Sequence, residues 1–346
     1  MEKAPKLQKN ISVINAYRAI GILIVVFSHY TVNVTGFFDS PVLPYIHETG
    51  KMAIIVFFTV SGFVIPWWLQ HAKYGIKDYG RFVARRMIRI EPPFIIALFL
   101  AIAYTYVRML SPYYNGVETI PSVKQVLLQL GYLVPFFPGE QWVRGSYWTL
   151  AIECQWYLFM GLTFPLFFNK RIWVRIVMYV FVPACTIFIG KQLFVYLPVL
   201  IIGTLLCSYM TNTISKKEYI LATIGMVAFE LIYGVEIIQV IGSVIIIPML
   251  LFFSDFNNKY LTFLGNMSYS IYLMHSLTGV ALVNYCSHIF TNPFMKILVV
   301  IAGVLFTLLT SYIFYRLVEK PAHKISLKIA INEHELKSNP KTKGNV

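Results

Sequence analysis

The chain has 346 residues, of which 58% are apolar, 16% aromatic and only 13% charged, a composition that excludes an average soluble domain. Its formal charge of +14 calls for no nucleic-acid partner, because basic loops gathered on one side of a bilayer account for it. The apolar residues arrive in runs of membrane-spanning length, so the expected fold is all-α: a polytopic transmembrane helical bundle in which each span satisfies its own backbone.

The first apolar stretch, Ile14–Asn33, carries Arg18 and His29. Eleven residues at about 1.5 Å and 100° each put them roughly 16 Å apart on nearly the same face. Asn15, Ser28 and Asn33 fall on or beside that stripe. Each residue alone reads as blandly as a snorkelling arginine or a satisfied core histidine. Together on one stripe, a charged and a titratable group in hydrocarbon imply a bundle interior or a watered channel. No small-residue cleavage site follows this run, so the first span is expected to be retained.

About ten spans are expected, near 12–37, 52–70, 92–110, 147–168, 172–189, 192–210, 218–234, 236–253, 267–288 and 295–317. With both termini cytoplasmic, 23 of the 29 Lys and Arg fall inside, leaving Lys51, Arg108, Lys124, Arg144, Lys191 and Lys296 outside. That orientation puts Arg18 near the cytoplasmic face and His29 in the outer half. Met109–Ser146 is the longest external loop, with an amphipathic stretch Ser122–Leu133, and reads either as a binding lid or as a packed cap. Residues 1–318 form the transmembrane domain, and Glu319–Val346 a charged cytoplasmic tail whose end is expected to be disordered.

Cys154, Cys185, Cys207 and Cys286 show no CxxC spacing and read as small buried hydrophobes, although Cys154 beside Glu153 also has the makings of a nucleophile. His47, His71, His288, His323 and His334 lack metal-ligand spacing, so no metal and no permanently bound cofactor is expected.

Six short stretches carry a resemblance. They are Arg18-x10-His29, FFTVSGFVI at Phe57–Ile65, RRMIRIEPPF at Arg85–Phe94, WTLAIECQWYL at Trp148–Leu158, LGNMSYSIYLMH at Leu264–His275, and VEKP at Val318–Pro321. In order and on the expected spans, they resemble membrane-bound acyltransferase family 3, whose members move acyl groups from cytoplasmic acyl-CoA to surface molecules. The chain departs from the family pattern at Asn15, where an acidic residue is frequent, at Ala53 and Ile55, and at Thr149, where serine is usual.

The resemblance implies an O-acyltransferase of the cytoplasmic membrane, with acetyl-CoA or another acyl-CoA as donor and a hydroxyl of a cell-surface carbohydrate or lipid-linked glycan as acceptor. Acetyl is the expected group, with succinyl or another short acyl as alternatives. Transfer from a thioester to an alcohol needs a base and a stabiliser for the developing oxyanion. A neutral imidazole in an apolar span can accept a proton, which makes His29 the candidate base. Direct attack by the acceptor is preferred to an acyl-histidine intermediate.

Glu153 would orient or re-protonate a histidine or position the acceptor. Its alternative is an ion pair with Arg144 or another base. Arg85, Arg86 and Arg89 gather within about a turn where guanidinium forks suit coenzyme A phosphates, or anchor at lipid headgroups. Arg18 would meet the pantetheine arm or a phosphate deeper in the channel.

His275 reads equally as part of the catalytic cavity or as a hydrogen-bonded core histidine, with Tyr269 and Tyr272 on its i,i+3 row. Ser61, beside Gly62, lies on the cavity side but suits close helix packing. Trp148, with Trp142 and Tyr147, reads as an interfacial belt or a stacking platform for a sugar. A reading from another class, a secondary transporter or glycan flippase, would use Arg18, His29 and Glu153 as a relay. Oligomeric state is not legible.

Overall fold

The computed structural model describes residues 13–32, 38, 40–111 and 119–330, and every regular element among them is helical. In chain order these are α1 (Val13–Val32), α2 (Leu43–His71), α3 (Tyr79–Met109), α4 (Val123–Leu130), α5 (Trp148–Phe167), α6 (Ile172–Phe188), α7 (Leu193–Met210) and α8 (Lys216–Ile232). Then follow α9 (Ile237–Val244), α10 (Ile246–Phe252), α11 (Lys259–Asn266), α12 (Ser268–Met274), α13 (Gly279–Ser287), α14 (Pro293–Phe314) and α15 (Lys320–Ser326). A π-helical turn, Tyr315–Glu319, carries α14 into α15 without interruption. The basic N-terminus and the SNPKTKGNV end of the tail lie outside the described residues.

Six elements are long and apolar enough to cross a membrane: α1, α2, α3, α5, α7 and the α14–α15 rod. The other four expected spans fall on shorter or divided helices. α6 and α8 have 17 residues each, about 25 Å at 1.5 Å per residue, against a hydrocarbon core of about 30 Å. α9 and α10 follow one another through Ile245 as one apolar stretch of 10–17 residues, Ile237–Phe252, and α12 and α13 are separated by residues 275–278. Large apolar side chains such as Trp173, Phe188, Ile232 and Phe252 point away from the protein, as lipid contact requires.

α2 is the central helix, packed along α1, α7 and α9. Its crossing with α7 is made backbone to backbone: a Cβ on Gly62 would collide with Leu200, and one on Gly203 with Thr59. Small residues at such crossings let helices approach where lipid offers no hydrophobic drive.

Proline supplies the second packing device. A proline lacks the N–H that would serve the carbonyl four residues earlier, and three of these carbonyls receive a hydroxyl from a neighbouring element. Thr204 donates to Gly62 O at 3.0 Å, opposite Pro66. Tyr74 donates to Gly161 O at 2.7 Å, opposite Pro165. Thr186 donates to Phe194 O at 2.8 Å, opposite Pro198. Each kink therefore becomes an interhelical tie.

The described part of the long loop is a folded cap. α4 starts at Ser122, whose hydroxyl accepts from Gln125 N at 3.1 Å. The fully buried Gln129 donates to Gln141 O at 3.0 Å and accepts from Val143 N at 3.2 Å. Tyr132 stacks on Phe94 of α3 at 5.3 Å. At the other end of the chain, the α14–α15 rod runs past residue 318, and α15 packs along α3. Glu319 is thereby buried at 6% exposure, inside the bundle and not in a tail.

Candidate active site

α1, α2, α3, α5, α7, α12 and the π turn line one cavity. α1 contributes Ile14, Arg18, Ile22 and Val25, one stripe at helical spacing. α2 adds Phe57, Phe58 and Ser61, α3 adds Arg86, Arg89 and Ile90, and α5 adds Thr149, Glu153, Trp156 and Tyr157. α12 brings Tyr269 and Tyr272, and the π turn brings Glu319.

The structure divides the basic cluster of α3. Arg86 and Arg89 line the cavity with Arg18, whereas Arg85 turns away from it. Arg85 lies over the Trp68 ring at 4.8 Å and donates to Ile329 O at 3.2 Å, which straps the C-terminal segment to α3. Arg86 is 7% exposed, lies 4.7 Å from the Trp68 ring and 5.5 Å from Tyr157, and its Nε is buried without a hydrogen-bond partner. Among the described residues nothing accepts from this N–H, so an anion or a water entering the cavity would find a buried donor there.

Two carboxylates share the cavity with three guanidiniums. Glu153 accepts from the Tyr157 hydroxyl one turn along α5 and interacts electrostatically with Arg18 and Arg86. Glu319 accepts from both the backbone N–H (3.0 Å) and the hydroxyl of Ser270, and its charge acts on Arg18 and Arg89. A carboxylate charge thus reaches Arg18 from the far end of the chain, on a π turn of the kind that recurs at functional sites. With three cations against two anions, the cavity keeps positive charge for a ligand.

His29 continues the α1 stripe one turn beyond Val25, where the cavity ends. Its Nδ1 lies 2.7 Å from Nε2 of His275, and His275 Nδ1 lies 2.6 Å from Tyr272 O. Neither histidine lines the cavity itself. The link is Tyr272, which lines it and whose ring centroid is 5.7 Å from that of His275. The Tyr272 hydroxyl meets Thr149 Oγ1 at 2.6 Å and donates to Ser146 O, closing the cavity at this end. Tyr269 donates to Ile90 O at 2.8 Å, which ties α12 to α3 across the cavity.

The remaining candidates are placed plainly. Ser61 lines the cavity, and its carbonyl accepts from Trp156 Nε1 at 3.4 Å. Trp148 does not line it. One face of Trp148 stacks on Tyr196 at 5.4 Å and its edge meets Phe58 at 6.1 Å, so that face is already covered by protein. The hydrogen-bond partner of Glu153 is Tyr157, and the residue that holds the His29 ring is His275. Sequence reasoning assigned no role to Glu319, Tyr157 or Thr149. For Glu319 the available signal was a carboxylate directly at the end of an apolar span.

A family described as an acyltransferase domain matches residues 11–316. No curated protein and no solved structure gives a match.

Proposed function

This chain belongs to membrane-bound acyltransferase family 3 and is a membrane acyltransferase, and from that premise we propose that it moves an acyl group from cytoplasmic acyl-CoA to a hydroxyl of a surface carbohydrate or lipid-linked glycan. The observation that carries the reading is the cavity's polarity: three guanidiniums along its walls and a histidine pair just past its other end. Arg18, Arg86 and Arg89 would hold the phosphates of coenzyme A, with Glu153 and Glu319 keeping the guanidiniums oriented. The roughly 16 Å rise from Arg18 to His29 is shorter than an extended pantetheine arm, so a donor anchored at Arg18 would have the length to approach His29 once the Tyr272 end of the cavity opens.

His29 would take the proton of the acceptor hydroxyl as the hydroxyl oxygen attacks the thioester carbonyl. Collapse of the tetrahedral intermediate then breaks the carbon–sulfur bond, and the departing thiolate recovers that proton as free coenzyme A. General-base help of this kind is worth about 10²–10⁴-fold. We take the acyl group to be acetyl.

The experiment is to give the purified, reconstituted protein radiolabelled acetyl-CoA and extracted surface glycan. Label should enter the glycan, and His29→Ala should slow this by about 10³-fold while the protein keeps its thermal transition. The break between α12 and α13 is one feature a transporter would share. Movement of unmodified glycan with no label incorporated would establish that reading instead.

A further inference from the structure

α12 ends at Met274 and the chain resumes as a helix only at Gly279. A helix end leaves its last carbonyls without intrahelical partners, and at this depth there is no bulk water to serve them. Ile271 O accepts from His275 N at 2.9 Å, and Met274 O accepts from Thr278 N at 3.0 Å. Tyr272 O accepts from the His275 ring, Nδ1 to O 2.6 Å. The break is pinned by Tyr30, whose hydroxyl meets Thr307 Oγ1 at 2.5 Å and donates to His275 O at 3.4 Å. Only glycine fits at 279, because a Cβ there would overlap the Tyr30 hydroxyl.

The proton positions follow from these contacts. A carbonyl oxygen only accepts, so His275 Nδ1 carries a hydrogen. The ring is fully buried, and its partners among the described residues are a carbonyl and an imidazole, neither able to neutralise an imidazolium. An unpaired charge there would be costly, so His275 is neutral and its Nε2 is a lone-pair nitrogen. His29 Nδ1, 2.7 Å away, must then be the donor. The ring centroids lie 4.9 Å apart, close to the nitrogen separation plus one ring radius on either side, so the two nitrogens meet edge on. A neutral His29 with its hydrogen on Nδ1 has its lone pair on Nε2, the nitrogen facing away from His275.

We propose that His275 is a positioning residue that fixes the His29 hydrogen on Nδ1 and so leaves Nε2 to receive the acceptor's proton. This rests on His29 being the base in the reading above. The sequence Tyr272 C=O, His275, His29 is a directional chain that starts at a backbone carbonyl exposed by a helix break. When Nε2 takes the hydroxyl proton, the new imidazolium keeps its Nδ1–H on His275, and it returns the Nε2 proton to the leaving thiolate. No proton passes to His275 and none is lost. In the serine-protease template, a base held in the wrong tautomer loses about 10⁴-fold in turnover.

Two substitutions and one spectrum test this. His275→Leu removes the acceptor. His275→Gln places an amide oxygen within reach of the same Nδ1–H. In ring-¹⁵N-labelled wild-type protein, His29 should show a protonated Nδ1 and an unprotonated Nε2. His275→Leu should mix the His29 tautomers and lower kcat by about 10²–10³-fold, no more than loss of the base itself, with KM for acetyl-CoA unchanged, and His275→Gln should restore most of both. A wild-type His29 protonated on Nε2, or a His29 spectrum indifferent to His275→Leu, overturns the proposal. Should the leucine variant fail to fold, the wild-type spectrum still decides. A protein with the stated tautomers that transfers no acyl group refutes the catalytic reading and leaves the tautomer assignment standing.

Discussion

The two ends of the cavity are finished differently. At the histidine end, three of four ring nitrogens in the pair have partners at 2.6–2.7 Å. The nearby hydroxyls of Tyr30, Thr149, Tyr272 and Thr307 are tied to one another or to backbone. At the arginine end, Arg86 lies among aromatic rings with a buried N–H that has no acceptor among the described residues, and the three cavity guanidiniums outnumber the carboxylates that line it with them. A completed hydrogen-bond network holds one orientation and resists change, which suits directing a proton. An incomplete cationic site loses stability until an anion enters it, which suits binding and release.

The largest effect should come from the histidine end. His29→Ala should lower kcat by about 10³-fold with little change in KM for acetyl-CoA, measured by steady-state transfer to glycan. An equal loss in both constants would erase the distinction between the ends.

Next in size, Arg86→Ala or Arg89→Ala should raise KM for acyl-CoA with kcat nearly intact. A hydrogen bond to a charged group is worth about 1.5–3 kcal/mol, or about 10–150-fold. Arg85→Ala sharpens the comparison because its guanidinium holds Ile329 O outside the cavity. It should leave acyl-CoA affinity within about 3-fold while residues 320–330 become accessible to limited proteolysis, since one neutral-acceptor bond is of that order. Glu319→Ala strips the Ser270 N–H and hydroxyl of their acceptor and should cost about 2–3 kcal/mol in thermal unfolding.

The smallest change is a control at the α2–α7 crossing, away from the arginines and the histidines. Thr204→Val removes the donor to Gly62 O, which should cost about 1–2 kcal/mol of stability and leave both kinetic constants unchanged.

The α1 stripe was legible in the sequence because helical periodicity alone places Arg18, Ile22, Val25 and His29 on one face. The arginine cluster was legible as a cluster but not in its division. Arg85 and Arg86 are adjacent on a helix and point about 100° apart, and which of them faces the cavity depends on where α15 docks. Glu319 was hidden by a boundary drawn where apolar residues stop, whereas the helix continues through a π turn into Ser326.

The break at His275 was hidden too. SYSIYLMH carries no proline or glycine, and the interruption comes from tertiary contacts with Tyr30 and Thr307. Likewise, proline positions were visible, but not the hydroxyls on other helices that complete them. Helix length alone supports six of the ten expected spans, because the apolar runs of α6, α8, α9–α10 and α12–α13 read alike in sequence whether a helix is continuous, short or broken.

The most direct test of transfer through the bundle uses sealed vesicles containing the protein, with labelled acetyl-CoA confined outside and glycan confined within. Labelled glycan should accumulate inside, and only with His29 present. Label appearing solely when donor and acceptor share one compartment would contradict a route between the arginine and histidine ends.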